Sequence, residues 1–256
     1  MSLRTKTQRL RQIVHGWASL NLLAARSVVH GPSLGRFVKV AERAGVYGYK
    51  PELPVRGLRE LIEPGVRVEL QSVPSEPWQV SPSELAAIAA LAVSYRPETI
   101  FEIGTFDGRT TLNLHLNRPE AKVITLDLPP ADQNLPDEKI AGMLIRDRVE
   151  AGAIEQLYGN SLAFDFSPYA GQQDFVFIDA GHSYENALSD TRNALWLVEG
   201  REGTIVWHDY AGWAGVTQAV QESIATVASP VDACWISGTS LAFMRTRPGE
   251  PLRLAK

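Results

Sequence analysis

Acidic and histidine side chains follow two apolar runs of the sequence, at the point where each run ends. Asp179 and His182 follow the first run, and His208 and Asp209 follow the second. Carboxylates and imidazoles can exchange protons near neutral pH, and both bind divalent cations. Helix capping would explain any one of these residues alone. Four of them at two strand ends favour a site for acid–base or metal chemistry.

An earlier apolar run, residues 99–103, contains an acidic residue and leads into two glycines. Glu102 lies two residues before Gly104, and Gly108 follows four residues later, with Thr105 between them. Glycine permits the positive φ of a tight turn and the close approach of backbone N–H groups to a ligand. The spacing differs from the Gly-x-Gly-x-x-Gly that binds a dinucleotide pyrophosphate. It indicates a strand-to-helix turn that binds a nucleotide cofactor.

Another carboxylate, Asp127, ends the next β-rich run, 23 residues after Gly104. An acid at this point can accept hydrogen bonds from both hydroxyls of a ribose. Enzymes that use NAD have the same feature. Asp127 therefore indicates an adenosine-containing cofactor without identifying it.

The elements that must position these residues alternate along the chain. Strands are predicted at 99–103, 122–127, 155–158, 174–179 and 203–208, and helices at 82–95, 108–117, 137–150, 163–170, 184–199 and 215–227. Ser81 and Glu84 form a capping-box pattern at the first helix. Such alternation predicts an α/β fold with a parallel sheet, in which the strand ends face one crevice. Runs 231–237 and 240–246, joined at Gly238, predict a closing antiparallel hairpin.

Charge and composition divide the chain at about residue 78. Residues 1–50 contain nine Lys and Arg against one acid, so the overall net charge of −4 leaves about −12 on the rest. We predict a helical cap, lid or oligomerisation segment over 1–78 and a cofactor-binding domain over 79–256. Basic segment 3–29 is amphipathic, which fits a transit peptide, a membrane-surface helix or a docking helix. Docking on the main domain or on a sister subunit is the more common arrangement.

Bulk composition excludes several classes of protein. At 45% hydrophobic and 21% charged residues the chain is an ordinary globular sequence, and it has no apolar run long enough to span a membrane. A single cysteine, Cys234, excludes an intramolecular disulfide and a CxxC zinc site. This cysteine content fits a cytoplasmic protein.

Residues 80–247 resemble the class I methyltransferases that depend on S-adenosyl-L-methionine (SAM), on the Glu-x-Gly-x-x-x-Gly motif, Asp127 and the closing hairpin. The resemblance implies a Rossmann-like sheet of seven strands, mostly parallel, with a C-terminal antiparallel hairpin, next to the N-terminal helical extension. It also places a polar residue after the third strand against the adenine amino group. The residues it assigns to SAM are Glu102, Gly104, Thr105, Gly108, Asp127, Asn160, Ser161 and Asp179.

The strand ends Asp-Ala-Gly-His-Ser-Tyr and His-Asp-Tyr resemble a bacterial subgroup related to metal-dependent O-methyltransferases of sugars and natural products. In the catechol and caffeoyl-type relatives, the matching positions bind magnesium, which implies a metal site at Asp179, His208 and Asp209. If His208 is a ligand, manganese or another transition ion is favoured over magnesium. The catalytic lysine of those relatives falls on His182, which the resemblance therefore makes the general base.

Together these features predict a cytoplasmic O-methyltransferase that acts on a hydroxyl of a small molecule, as a homo-oligomer. Two alternatives stay open. A SAM-binding protein that does not methylate, similar to the cephalosporin hydroxylases, would share the Asp and His strand ends. An NAD-dependent oxidoreductase would share Asp127. The sequence lacks the Asn/Asp-Pro-Pro-aromatic tetrad of enzymes that methylate nucleic-acid bases, so a nucleic-acid partner is not expected, and binding to a membrane surface is not favoured.

Overall fold

The protein was analysed as a computed structural model, which describes Leu22 and residues 50–73, 79–133, 137–227 and 231–248. The chain divides into two compact units, Met1–Tyr49 and Lys50–Lys256. This division lies well before the predicted domain boundary at residue 78. The predictions for the basic segment 3–29 fall outside the described residues, as does the region around the predicted boundary itself.

Eight strands form a single sheet. They are β1 (Val55–Arg56), β2 (Thr99–Ile103), β3 (Lys122–Asp127), β4 (Ile154–Tyr158), β5 (Phe175–Ile178), β6 (Thr204–Trp207), β7 (Asp232–Ile236) and β8 (Ala242–Arg245). Their order across the sheet is β1-β7-β8-β6-β5-β2-β3-β4. Only β8 runs antiparallel to its neighbours, β6 and β7. The mostly parallel sheet with a C-terminal hairpin is confirmed, and the strand that the sequence did not predict is the two-residue β1.

Five α-helices are described: α1 (Pro82–Tyr95), α2 (Arg109–Asn117), α3 (Arg146–Glu150), α4 (Tyr184–Leu197) and α5 (Ala214–Thr226). The capping box at α1 is formed as predicted. The predicted helix 163–170 is wrong, because only a 3-10 turn forms at Ser167–Tyr169. Asp165 there accepts a hydrogen bond from the Ser167 amide, and this local turn competes with a helix. The predicted helix 137–150 is reduced to a 3-10 turn and α3.

Two apolar cores cover the two faces of the sheet. Successive strand residues point to opposite faces, so Phe101 and Val176 belong to one core while Ile100 and Phe175 belong to the other. The first core includes residues of α4 and α5, and the second includes residues of α1 and α2. This three-layer arrangement leaves the C-terminal ends of the parallel strands open for a ligand. Among the described helices, none combines the length and apolar character needed to cross a membrane.

Candidate active site at the strand ends

The glycine loop after β2 lies directly against the end of β5. Gly104 has φ +103°, and a Cβ built on it would lie 2.1 Å from the carbonyl oxygen of Asp179. The Gly104 amide donates to the carbonyl of Leu126, 2.8 Å away, at the end of β3. Only glycine fits this backbone and this contact. The predicted tight turn is therefore present, and it joins three strand ends.

Asp127 holds this loop in place. Its Oδ2 atom accepts hydrogen bonds from the amides of Thr105 (2.9 Å) and Phe106 (2.6 Å), and its Oδ1 accepts one from the Leu128 amide. Phe106 has φ +48°, which is uncommon for a side chain of its size. The carboxylate thus fixes a strained turn next to the strand ends. Its contact with a ribose stays a prediction.

Glu102 is buried behind the loop. The Thr111 hydroxyl donates to its carboxylate, as does the Thr125 hydroxyl at 2.7 Å. Burial raises the pKa of Glu102 to about 8, although both hydroxyl bonds oppose the rise. The Thr125 hydroxyl also lies 2.6 Å from that of Thr105 in the loop. The structure therefore connects Glu102 to the loop through threonines, and it does not bring this carboxylate to the walls of the cavities described next.

Two cavities meet at the loop. The larger has a volume of about 610 Å³ and extends from Gly104 past Asp127 to the turn after β4. The smaller, of about 180 Å³, extends toward Asp107 and the start of α2. The two cavities share five of their lining residues, which are Gly104, Phe106, Asp179, Ala180 and His182. The shared wall is the region that a ligand spanning both cavities would contact.

Several of the residues assigned to SAM from the sequence line these cavities, and their contacts with a cofactor stay predictions. Asn160 and Ser161 line the far end of the larger cavity, although the Asn160 side-chain oxygen also accepts the Leu162 amide at 3.0 Å. Thr105 lines the smaller cavity. Gly108 starts α2 with φ +85° and packs against Ile145, outside the walls of both cavities. Its role in the structure is to form the turn.

Asp179, His182 and Asp209 converge at the cavity wall. Each offers one oxygen or nitrogen atom, and these three atoms lie within 4.8 Å of one another. The closest approach is 2.9 Å, between His182 Nε2 and Asp209 Oδ2. The predicted metal site placed His208 in this trio. Among the described residues, His182 takes that position.

His208 instead lies behind the two aspartates, almost fully buried. Its Nδ1 atom is 3.1 Å from Asp179 Oδ1 and 3.4 Å from Asp209 Oδ2, and its Nε2 atom is 3.5 Å from Glu84 Oε2. Burial acts to lower the pKa of His208, yet the three surrounding carboxylates raise it well above 6.5. The ring thus contacts both aspartates and does not line either of the two cavities described above.

Asp209 is held in an unusual backbone conformation. Its φ is +59°, a region that most side chains avoid, and its amide donates to the Ser240 hydroxyl at 3.3 Å. A Cβ on Gly212 would lie only 2.7 Å from Asp209 Oδ1. Burial acts to raise the pKa of Asp209, but contacts with His182 and His208 hold it well below the usual range. Strain of this kind is found where a structure fixes a functional side chain.

His182 is the accessible member of the site. Its side chain is 42% exposed, compared with 8% for Asp209. The imidazole stacks on the indole of Trp213, with 5.0 Å between the ring centroids and 12° between the planes. Trp213 lies in the loop between β6 and α5. The stacking and the contact with Asp209 fix the orientation of the imidazole at the wall that both cavities share.

Sequence reasoning missed two residues of this site. Glu84 was recognised only as part of a capping box, and Ser240 was not recognised at all. Both are buried, and Glu84 Oε1 accepts hydrogen bonds from the Ser240 amide (2.6 Å) and hydroxyl (2.7 Å). A clue was available for Glu84, because an ionisable side chain began a helix that is apolar on most of its surface.

The site has the donor set that a divalent cation requires. Two carboxylates and one imidazole face one another, and Asp179 and Asp209 leave a surplus of negative charge that the nearby His208 balances only in part. Carboxylate oxygen suits magnesium and manganese, and imidazole favours the transition metals. The residues therefore fit a cation, and the predicted contribution of His208 to such a site stays a prediction.

Comparison with known proteins agrees with this architecture. Residues 101–210 match the model of a family described as a methyltransferase domain. The SAH-bound methyltransferase PaMTH1 of Podospora anserina is 17% identical with a TM-score of 0.51, and the match covers 66% of this chain and 80% of that one. Cofactor-bound Rv0187 from MTB is 23% identical with a TM-score of 0.53, covering 69% and 84%.

At these identities the structural likeness establishes the fold, while the matched segment contains the C-terminal ends of β2, β3, β4, β5 and β6. No curated protein matches this chain. The matched segment begins at Phe101 in β2 and ends at Tyr210, one residue after Asp209. The glycine loop, Asp127 and the Asp179–His182–Asp209 group all lie within it.

Proposed function

We propose that this chain, a SAM-dependent methyltransferase by its domain and its fold, methylates a hydroxyl group of a small molecule with His182 as the proton acceptor. The observation that carries the proposal is the 2.9 Å contact between His182 Nε2 and Asp209 Oδ2. His182 lies on the wall that both cavities share. An alcohol is a weak nucleophile until it loses its proton, so a positioned base at this wall supports transfer to oxygen.

SAM supplies the methyl group, and the larger cavity has a volume suited to a ligand of that size. In our proposal Asp127 contacts the ribose, and Asn160 with Ser161 contacts the adenine. The smaller cavity then takes the amino-acid end of the cofactor and the acceptor hydroxyl. The shared wall at Gly104 and His182 is where the two reactants approach each other.

His182 is arranged to accept a proton on one ring nitrogen. With Nε2–H donated to Asp209, the neutral ring has Nδ1 as its free basic atom. Asp209 stabilises the imidazolium that forms after proton transfer, because opposite charges then face each other at 2.9 Å. Stacking on Trp213 limits rotation of the ring. Positioned bases of this kind contribute about 10²–10⁴-fold to the rate.

A cation is a second way for the same residues to activate the hydroxyl. Mg²⁺ or Mn²⁺ would be held by Asp179, His182 and Asp209, and when bound it would lower the pKa of the acceptor hydroxyl. His182 would then serve as a ligand. The two versions differ in one measurable property, which is whether methylation continues in excess chelator.

The direct test is incubation with SAM and a panel of catechols, other phenols and sugars, with mass spectrometry of the products. We expect one added methyl group on an acceptor and stoichiometric SAH. His182→Ala should lose about 10²–10⁴-fold in turnover while still binding SAH. His115→Ala, a histidine on α2 away from both cavities, is the matched control. Hydroxylated products without a methyl group would overturn the proposal in favour of a hydroxylase-like activity.

A further inference from the structure

We infer that Glu84 is a positioning residue of this site, which acts through His208 to fix the carboxylates of Asp179 and Asp209. The inference rests on the proposed function, because it concerns the same two aspartates. Glu84 lies in the first turn of α1, far along the sequence from the strand ends that carry the chemistry.

The Glu84 carboxylate is anchored from two directions. Oε2 accepts hydrogen bonds from the Ser81 amide (3.0 Å) and hydroxyl (2.7 Å), at the start of α1. Oε1 accepts the amide and hydroxyl of Ser240, in the turn between β7 and β8. Four donors on two oxygens leave the side chain little freedom. Glu84 is therefore a fixed point between two parts of the fold.

Two paths lead from this fixed point to Asp209. In the first, Glu84 Oε2 faces His208 Nε2 at 3.5 Å, and the opposite ring nitrogen lies between the two aspartates. In the second, the Ser240 hydroxyl donates to Glu84 and accepts the Asp209 amide. The imidazole is rigid, so holding one nitrogen orients the other. The first path reaches the carboxylate that contacts His182, and the second holds the backbone amide of the same residue.

Helix capping alone does not explain this glutamate. A capping box is formed equally well by glutamine, which has no charge to bury. Glu84 is only 7% exposed, and an ionised carboxylate at such a position is costly unless a positive group faces it. His208 is that group. Its Nε2 atom has no hydrogen-bond partner within the described part of the chain, and it faces Glu84 Oε2 at 3.5 Å as an ion pair. The buried pair of Glu84 and His208 thus positions the carboxylates of Asp179 and Asp209 at the cavity wall.

The test compares Glu84→Gln with the wild-type chain. Glutamine removes the charge that faces His208 and keeps one acceptor oxygen, so it retains either the Ser81 contacts of the capping box or the Ser240 contacts, while its amide NH₂ faces the other pair of donors. Ile88→Val, one turn further along α1 in the apolar core, removes a methylene from the same helix without touching this network. Thermal unfolding reports whether the two variants are folded to a similar extent. Calorimetry with SAH reports whether they still bind the ligand proposed for the larger cavity.

Side-chain ¹⁵N NMR of His208 supplies the decisive signal, because it needs neither an acceptor nor a metal. We expect Glu84→Gln to move the Nδ1 resonance, on the far side of the ring, as well as Nε2, while Ile88→Val moves neither. An unchanged Nδ1 resonance would overturn the inference. If Glu84→Gln does not fold, Glu84→Asp, which keeps the charge but shortens the reach, is measured in the same way.

A titration with Mn²⁺ links the inference to the proposed function. Residues that orient metal ligands typically change affinity by about 10–100-fold when altered, and we expect a loss in that range for Glu84→Gln with SAH binding unchanged. Wild-type affinity retained in the variant would contradict the inference. If the wild-type chain itself binds no Mn²⁺, the cation version of the proposed function fails, and the Nδ1 resonance still decides the role of Glu84.

Discussion

The carbonyl oxygen of Asp179 occupies the space that a side chain on Gly104 would need. Only 2.1 Å would separate that oxygen from a Cβ atom at residue 104, and both partners are backbone. The glycine loop and the end of β5 thus pack backbone against backbone, with no space for a side chain at residue 104. This contact connects the glycine loop to Asp179, the first acid of the candidate active site.

Gly104→Ala should therefore lower the stability of the protein by more than the strain of its backbone conformation alone explains. We expect a loss of SAH affinity of at least 10-fold and a clear drop in melting temperature, measured by calorimetry and thermal unfolding. Gly152→Ala is the matched control, because Gly152 also has a positive φ (+72°) but no atom within 4 Å of its Cβ position. That variant should show only the conformational cost of about 1–2 kcal/mol. Equal effects of the two changes would show that the contact with Asp179 is unimportant.

Asp127 has a loop-holding role that can be separated from its predicted contact with the ribose. Asp127→Ala leaves the amides of Thr105 and Phe106 without their acceptor, at a cost of about 1–3 kcal/mol in stability. Asp127→Asn retains one oxygen for these amides. We expect both variants to bind SAH more weakly in calorimetry and only the alanine variant to be strongly destabilised in urea. Normal SAH affinity in the asparagine variant would contradict the ribose contact.

Glu102 makes stability depend on pH in a defined direction. Burial raises its pKa from 4.5 to about 8, so the folded state binds a proton more tightly than the unfolded state. The contribution of Glu102 to the free energy of unfolding is complete below pH 4.5 and is lost as the pH rises through 8. This loss is at most about 4–5 kcal/mol. Glu102→Gln should remove this loss. Urea unfolding at pH 5 and pH 8 measures it, and an equal decline in both proteins would be inconsistent with the assignment.

Trp213 should affect turnover through its stacking on His182. Aromatic stacking contributes about 0.5–1.5 kcal/mol, which corresponds to roughly 2–10-fold in rate if it is needed to orient the base. We expect Trp213→Leu to lower kcat within that range and to leave SAH affinity unchanged. Trp196→Leu, on the exposed face of α4, is the control. A change confined to the KM for the acceptor would indicate that Trp213 forms the wall of the acceptor pocket instead.

Much of this architecture was predictable because it is encoded locally. The alternation of strands and helices, the glycine loop and the capping box at Ser81 all depend on residues close together in the sequence. The predicted seven strands are present. The strand β1 was missed because two residues carry no periodic signal, and its pairing partner β7 lies about 180 residues away.

The roles of the two histidines were harder to predict. Both follow a strand end, and the sequence does not show which one faces the cavity. His208 follows the buried Trp207, and its ring turns toward α1, where Glu84 faces it. His182 lies four residues beyond the end of β5, in a loop where it stacks on Trp213. Each orientation depends on a contact distant in sequence. The structure groups both histidines with the aspartates, because His208 Nδ1 lies within 3.4 Å of both carboxylates and His182 Nε2 contacts Asp209. The metal site at Asp179, His208 and Asp209 stays a prediction.

The short strand β1 limits how far the compact unit Lys50–Lys256 can be shortened from its N-terminal side. The carbonyls of Pro54 and Arg56 accept the amides of Trp235 and Ser237, and the buried Tyr210 hydroxyl accepts the amides of Glu52 and Leu53. Removing these residues would leave the edge of β7 unpaired and open to strands of other molecules. A truncated protein that begins at residue 79 should therefore aggregate, whereas one that begins at Lys50 keeps its sheet edge covered.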